Sequence, residues 1–186
     1  MTYPSRMLWA AACSQLTAAE QLAAQIQGTM YADHRDDPSV LPFAALVTGV
    51  CDDPARISGY ADAGLYVICE RTIKPGSANI FGLFPMISNP ALTHEQADAH
   101  WRDNHAPLAL HHHAYMTEYL QLSVVHTING PAYDGFALCG FDNIEDLKER
   151  FFSEPDSTQV IAEDVAKFAD PAKTPRRLLA KPHYFS

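Results

Sequence analysis

"LTHEQADAHWRDNHAP", residues 92–107, decides how the chain is read. Thr93 followed three residues later by Gln96 is a capping box, so a helix opens here. Upstream, residues 79–87 (NIFGLFPMI) are a continuous apolar run with the length of a strand. Downstream come YLQLSVV (residues 119–125), the turn NGPAYDG and FALCGF (136–141), a strand, a turn and a strand. Helical stretches follow over residues 143–152 and 158–168, and a last strand over 176–183. The order is β-α-β-β-α-β, that of a ferredoxin-like unit.

A related opening, LTAAEQ, begins at Leu16, with Thr17 as the expected cap and Glu20 completing its box. Strands are expected over residues 6–12, 43–50 and 64–70, and a polar loop over 31–42. In both copies a tyrosine, Tyr60 or Tyr133, precedes an Asp, a Gly and then an apolar strand. Only residues 71–78 separate the copies, which leaves the first one β-α-β-β with no room for a second helix and strand. The expected class is therefore α+β: a degenerate ferredoxin-like half over residues 1–74, then a complete ferredoxin-like domain over 79–186. The helices of such a unit lie on one face of its sheet, so the other face must be covered. An unpaired edge in the truncated half makes a homodimer the expected assembly.

Of 186 residues, 47% are apolar and 19% charged, a globular composition. The formal net charge of −9 argues against nucleic acid and anionic membrane as partners, since both require a basic face. No apolar run reaches the length of a membrane span, and the start MTYPSRMLWAAACSQL reads as a first strand rather than a signal. Cys13, Cys51, Cys69 and Cys139 fall in separate apolar runs without zinc spacing, which suits reduced thiols in a cytoplasmic protein.

The chain has nine histidines, and His100, His105, His111, His112 and His113 are packed into fourteen residues. Ala97, Trp101 and His105 share one helix face, so Trp101 is expected to be buried with His105 beside it. Pro107 is expected to end the helix at about Ala106, leaving His105 at the lip between helix and sheet. There it either caps the last carbonyls or serves as a general acid/base. His100 lies about 140° away on a regular helix, so the two cannot chelate one ion. The triplet His111–His113 points in three directions and reads as a solvated turn. No metal and no other cofactor is expected.

The segment resembles the EthD domain family over residues 79–183. The likeness rests on W-x-x-x-H-x-P at Trp101, His105 and Pro107, and on Y-D-G at Tyr133, Asp134 and Gly135 with Phe141 and Asp142 after it. The resemblance implies a dimeric α/β-barrel and small-molecule chemistry, and it moves His105 toward the catalytic reading. Tyr133 and Asp134 are the other candidate catalytic residues: Tyr133, or Tyr119, as donor to a developing enolate oxygen, and Asp134 as orienter of an imidazole or, more simply, a turn residue bonding its own backbone. Trp101, Tyr119, Gln121 and His126 are the candidate substrate-binding residues.

The expected activity is that of a lyase or isomerase that works without a cofactor on an aromatic, lactone or polyketide-like molecule. Dehydration, decarboxylation and isomerisation all fit this reading. The alternatives are a cofactor-free monooxygenase, a module that only binds a hydrophobic ligand, and a haem protein with His105 as axial ligand.

Overall fold

The computed structural model describes residues 2–35 and 40–186. Strand β1 (Ser5–Cys13) leads into helix α1 (Leu16–Ile26), followed by β2 (Thr29–Asp33), β3 (Ala45–Gly49), the single turn α2 (Ala55–Ser58) and β4 (Gly64–Lys74). Then come β5 (Ile80–Met86), α3 (His94–His100), a π-helical turn (Trp101–His105) and α4 (Ala106–His112). Strands β6 (Glu118–Asn129) and β7 (Gly135–Phe141), helices α5 (Ile144–Glu149) and α6 (Ser157–Phe168), and β8 (Leu178–Tyr184) complete the chain.

The strands close into one barrel in the order β1-β3-β2-β8-β5-β7-β6-β4, with every pair antiparallel. This corrects the expected class. The molecule is a closed eight-stranded antiparallel barrel with few helices, not a ferredoxin-like dimeric α/β-barrel with a degenerate half. The reason lies in two segments. Tyr31, Ala32 and Asp33, expected in a polar loop, belong to β2; of that loop, residues 36–39 lie outside the described residues. Strand β4 also runs on to Lys74, through the expected linker. The first half thus supplies four strands. The edge on which a homodimer was expected is occupied, because β2 pairs with β8 and β4 with β6.

Alternation along each strand sends one set of side chains inside the barrel, including Leu8, Tyr66, Ile68, Leu122, Phe136 and Leu178. The opposite set faces outward and is covered by helices. Over the first half, Ala19, Leu22 and Ala23 of α1 meet Met30, Val47 and Leu65. Over the second half, the long helix from α3 to α4 and helix α6 pack outside β5, β6 and β7. Helix α1 starts after Gln15 with no side-chain cap, so the box expected at Thr17 does not form. The box at Thr93 does: its hydroxyl accepts from Gln96 N and the Gln96 side chain accepts from Thr93 N. No helix among the described residues is long and apolar enough to cross a membrane.

Candidate active site

Pro107 does not stop the helix. The chain stays helical from His94 to His112 by widening into a π turn at Trp101–His105, where Ala106 N–H donates to the carbonyl of Trp101 five residues back. A proline has no N–H and its ring collides with the turn before it, and the wider turn absorbs both. This also overturns the expected divergence of the histidines. Residues five apart fall together on a π turn, so His100 and His105 reach the same carboxylate. His105 Nδ1 lies 2.9 Å from Asp164 Oδ2 and His100 Nε2 lies 3.0 Å from Asp164 Oδ1.

Asp164 was not singled out from the sequence. It sits on the buried stripe of α6 with Ser157, Ile161 and Phe168. Burial would raise its carboxyl, but hydrogen bonds and charge from His105 and His100 outweigh that and hold it well below the usual carboxylate range. An ionised carboxylate only accepts, so Nδ1–H of His105 donates to it and Nε2 lies on the other side of the ring. The readable signal was a charged residue on an apolar helix face, which must have a partner.

The His105 ring lines an apolar hollow of about 150 Å3 between the outer sheet face and the helices. Trp101 and Tyr119 form its inner wall, Met86, Ala137 and Cys139 its floor, and Phe168 packs 5.0 Å from the His105 ring. Gly135 is glycine because a Cβ there would stand 2.6 Å from the indole of Trp101. Tyr119 is fully buried, and its hydroxyl oxygen accepts from Trp101 Nε1 at 3.1 Å and from Gln121 Nε2 at 3.2 Å. With both lone pairs engaged, the O–H has no acceptor among the described residues, and the ring that carries it lines the hollow. Burial pushes the Tyr119 phenol far above its ordinary value, so it remains a donor throughout the usual pH range. Gln121 also donates to the Trp101 carbonyl at 3.0 Å, which fixes its amide orientation and leaves it a positioning group rather than a wall of the hollow.

The remaining candidates lie elsewhere. Tyr133 is inside the barrel against Tyr66 and Phe136, on the far side of the sheet from the hollow. Asp134 does not bond its own backbone: it accepts from Ser88 N at 2.7 Å and pairs with His94 Nδ1 at 2.9 Å, tying the start of α3 to β7. It therefore orients an imidazole, but not the one in the hollow. His126 is exposed on β6. The triplet is no solvated turn. His111 is exposed, His112 is buried against Ser157 Oγ at 2.8 Å, and His113 lines the hollow. Among the described residues no group of three or more His, Cys, Asp or Glu side chains is set to hold a metal ion. The volume is below the roughly 300–1,000 Å3 of common ligand pockets, and a haem does not fit it.

Residues 89–172 match the family model of the EthD domain. This segment is an EthD domain. It carries His100, Trp101, His105, Tyr119 and Asp164, and leaves β1–β5 and β8 outside, a narrower span than the resemblance over 79–183. No curated protein matches the chain in sequence.

Among solved structures, an anthrone oxidase-like protein aligns with a TM-score of 0.55 at 8% identity, covering 97% of this chain and 92% of its own. A provisionally named monooxygenase from Lactobacillus acidophilus NCFM aligns with a TM-score of 0.49 at 9% identity, covering 96% and 93%. Another from Fusobacterium nucleatum subsp. nucleatum ATCC 25586 gives 0.45 at 10% identity, covering 100% and 97%. At such identities the first alignment establishes a shared fold for the EthD domain and the strands around it, and nothing about chemistry.

Proposed function

We propose that the protein is a monooxygenase that needs no cofactor and acts on a small, electron-rich aromatic molecule, with His105 as the base. One observation carries the reading: an imidazole whose Nδ1–H is held by a buried carboxylate at 2.9 Å and whose ring lines an apolar hollow. A dry engineered cavity of comparable size takes up benzene, so about 150 Å3 takes the reacting ring, and further fused rings would extend through the open side of the hollow. His105 Nε2 takes an acidic C–H or O–H proton, and the Asp164 carboxylate stabilises the imidazolium that forms. The Tyr119 O–H donates to the substrate oxygen on which negative charge develops.

The anion so formed is electron-rich enough to reduce dioxygen directly. For a methylene between two rings, one methylene and one dioxygen molecule give one ketone and one water. The carbon is oxidised and loses both hydrogens, one oxygen atom enters the product as the carbonyl, and the other leaves with those hydrogens as water. The name of the anthrone oxidase-like relative supplies the first substrate class to try, and lyase or isomerase chemistry would begin with the same proton transfer. The test is oxygen consumption by the full chain with anthrone-type and phenolic substrates. Substrate-dependent uptake, with the heavy isotope of labelled dioxygen found in the product, is expected and is lost on His105→Ala. Turnover with no oxygen consumed would overturn the monooxygenase reading and leave proton transfer alone, the step shared with lyases and isomerases.

A further inference from the structure

Resting on that reading of the hollow, we propose that His113 is a second substrate-recognising group, and that the site selects an aromatic molecule with hydrogen donors at opposite ends. One is the acidic proton passed to His105, and the other is a hydroxyl held by His113.

The ring of His113 is buried, lines the same hollow as His105, and packs against Phe151 and Phe152 with centroids 4.4 and 5.3 Å away. Its Nδ1 is 2.6 Å from the carbonyl of Phe151. A carbonyl only accepts, so Nδ1 carries the hydrogen and Nε2 of the neutral ring carries a lone pair. Burial lowers this imidazole to about 4, which keeps it uncharged at neutral pH. Nε2 has no protein partner among the described residues. A ligand hydroxyl in the hollow would give this acceptor a partner in place of water.

The hollow therefore offers one donor, the Tyr119 O–H, and two acceptors, His105 Nε2 and His113 Nε2. His105 closes the π turn and His113 stands eight residues on, just past the end of α4, and both line the hollow. Held by residues two turns apart along the chain, the two donors stand across a ring rather than side by side. The acceptors differ in duty. His105 has the Asp164 carboxylate behind it to stabilise a captured proton, whereas His113 has only a neutral carbonyl and is suited to holding a hydroxyl.

The test is anaerobic titration calorimetry of the full chain with phenol, 4-methoxyphenol, hydroquinone and catechol. Hydroquinone is expected to bind about tenfold more tightly than 4-methoxyphenol, which lacks the second donor, and more tightly than catechol, whose donors are adjacent. His113→Phe is expected to erase the advantage of hydroquinone over 4-methoxyphenol. If hydroquinone binds no better than 4-methoxyphenol, if catechol is preferred, or if a folded His113→Phe protein keeps the advantage, the assignment of His113 is overturned while phenol binding upholds the reading of the hollow. Should none of the four bind, that reading falls, and the assignment of His113 with it. The ligand series on the unaltered protein decides the matter even where the variant does not fold.

Discussion

Over the first half of the barrel, α1 lays Ala19, Leu22 and Ala23 onto Met30, Val47 and Leu65, and apolar side chains fill the layer. Over the second half, the helix in the same relation to its strands carries Trp101 and His105 and leaves a hollow of about 150 Å3. Two differences produce this. The connection from β3 to β4 holds only the four residues of α2, whereas that from β7 to β8 holds α5 and the twelve residues of α6. That extra helix brings Asp164 and Phe168 over the sheet. The helix of the second half also contains a π turn, which swings His105 and His100 toward the same carboxylate. A helix on a sheet is by default a closed layer, and a site arises where a second helix props it open and supplies a charge.

The sharpest way to break the contrast is His105→Ala, which should lower kcat/KM per folded molecule by about 10²–10⁴-fold, with some fall in melting temperature because Asp164 loses a partner. Steady-state oxygen uptake beside a thermal melt checks both. Next, Tyr119→Phe removes the donor aimed into the hollow and should reduce kcat by about 10²-fold with little change in KM, read from initial rates.

The opposite pattern is expected from Leu22→Ala in the closed layer. It should cost about 2–5 kcal/mol of stability in a denaturant melt, with activity per folded molecule unchanged. A loss of activity there would show that the halves are coupled.

The most gradual effect is a pH dependence. Unfolded histidine takes up a proton below about pH 6.5, whereas burial lets the folded His113 resist down to about 4. Its contribution is constant above pH 6.5, and stability is lost as pH falls from 6.5 to 4, by about 3 kcal/mol at the end of that interval. His113→Phe should flatten melting temperature against pH across that window. The depressed Asp164 carboxyl acts at lower pH, since its stabilisation is present above the ordinary carboxylate value and is lost below it.

Most strands outside β2 were legible within a few residues, because apolar runs bounded by Gly, Pro and Asp leave few other readings. Strand β2 was not, because TMYAD is short and runs into HRDD, whose charges dominate any local average. The stripe Ala97–Trp101–His105 was legible from helical spacing, and so was the burial of His105 beside an indole. Tyr133 misled, because the turn that carries Y-D-G sends its tyrosine through to the barrel interior and its aspartate to His94. Asp164 and His113 were passed over for the same reason: each becomes chemical only through a partner distant in sequence, 59 residues away for Asp164 and 38 for His113.

The order of strands and helices over residues 79–186, the burial of Trp101 and the presence of an imidazole next to it were fixed by periodicity and capping, which act over one or two helical turns. Barrel closure, the π turn that accommodates Pro107, and the convergence of His100, His105 and Asp164 were decided only in three dimensions. Those features depend on which surfaces meet, and the meeting of surfaces is set by the competition among all packings of the chain rather than by any one segment.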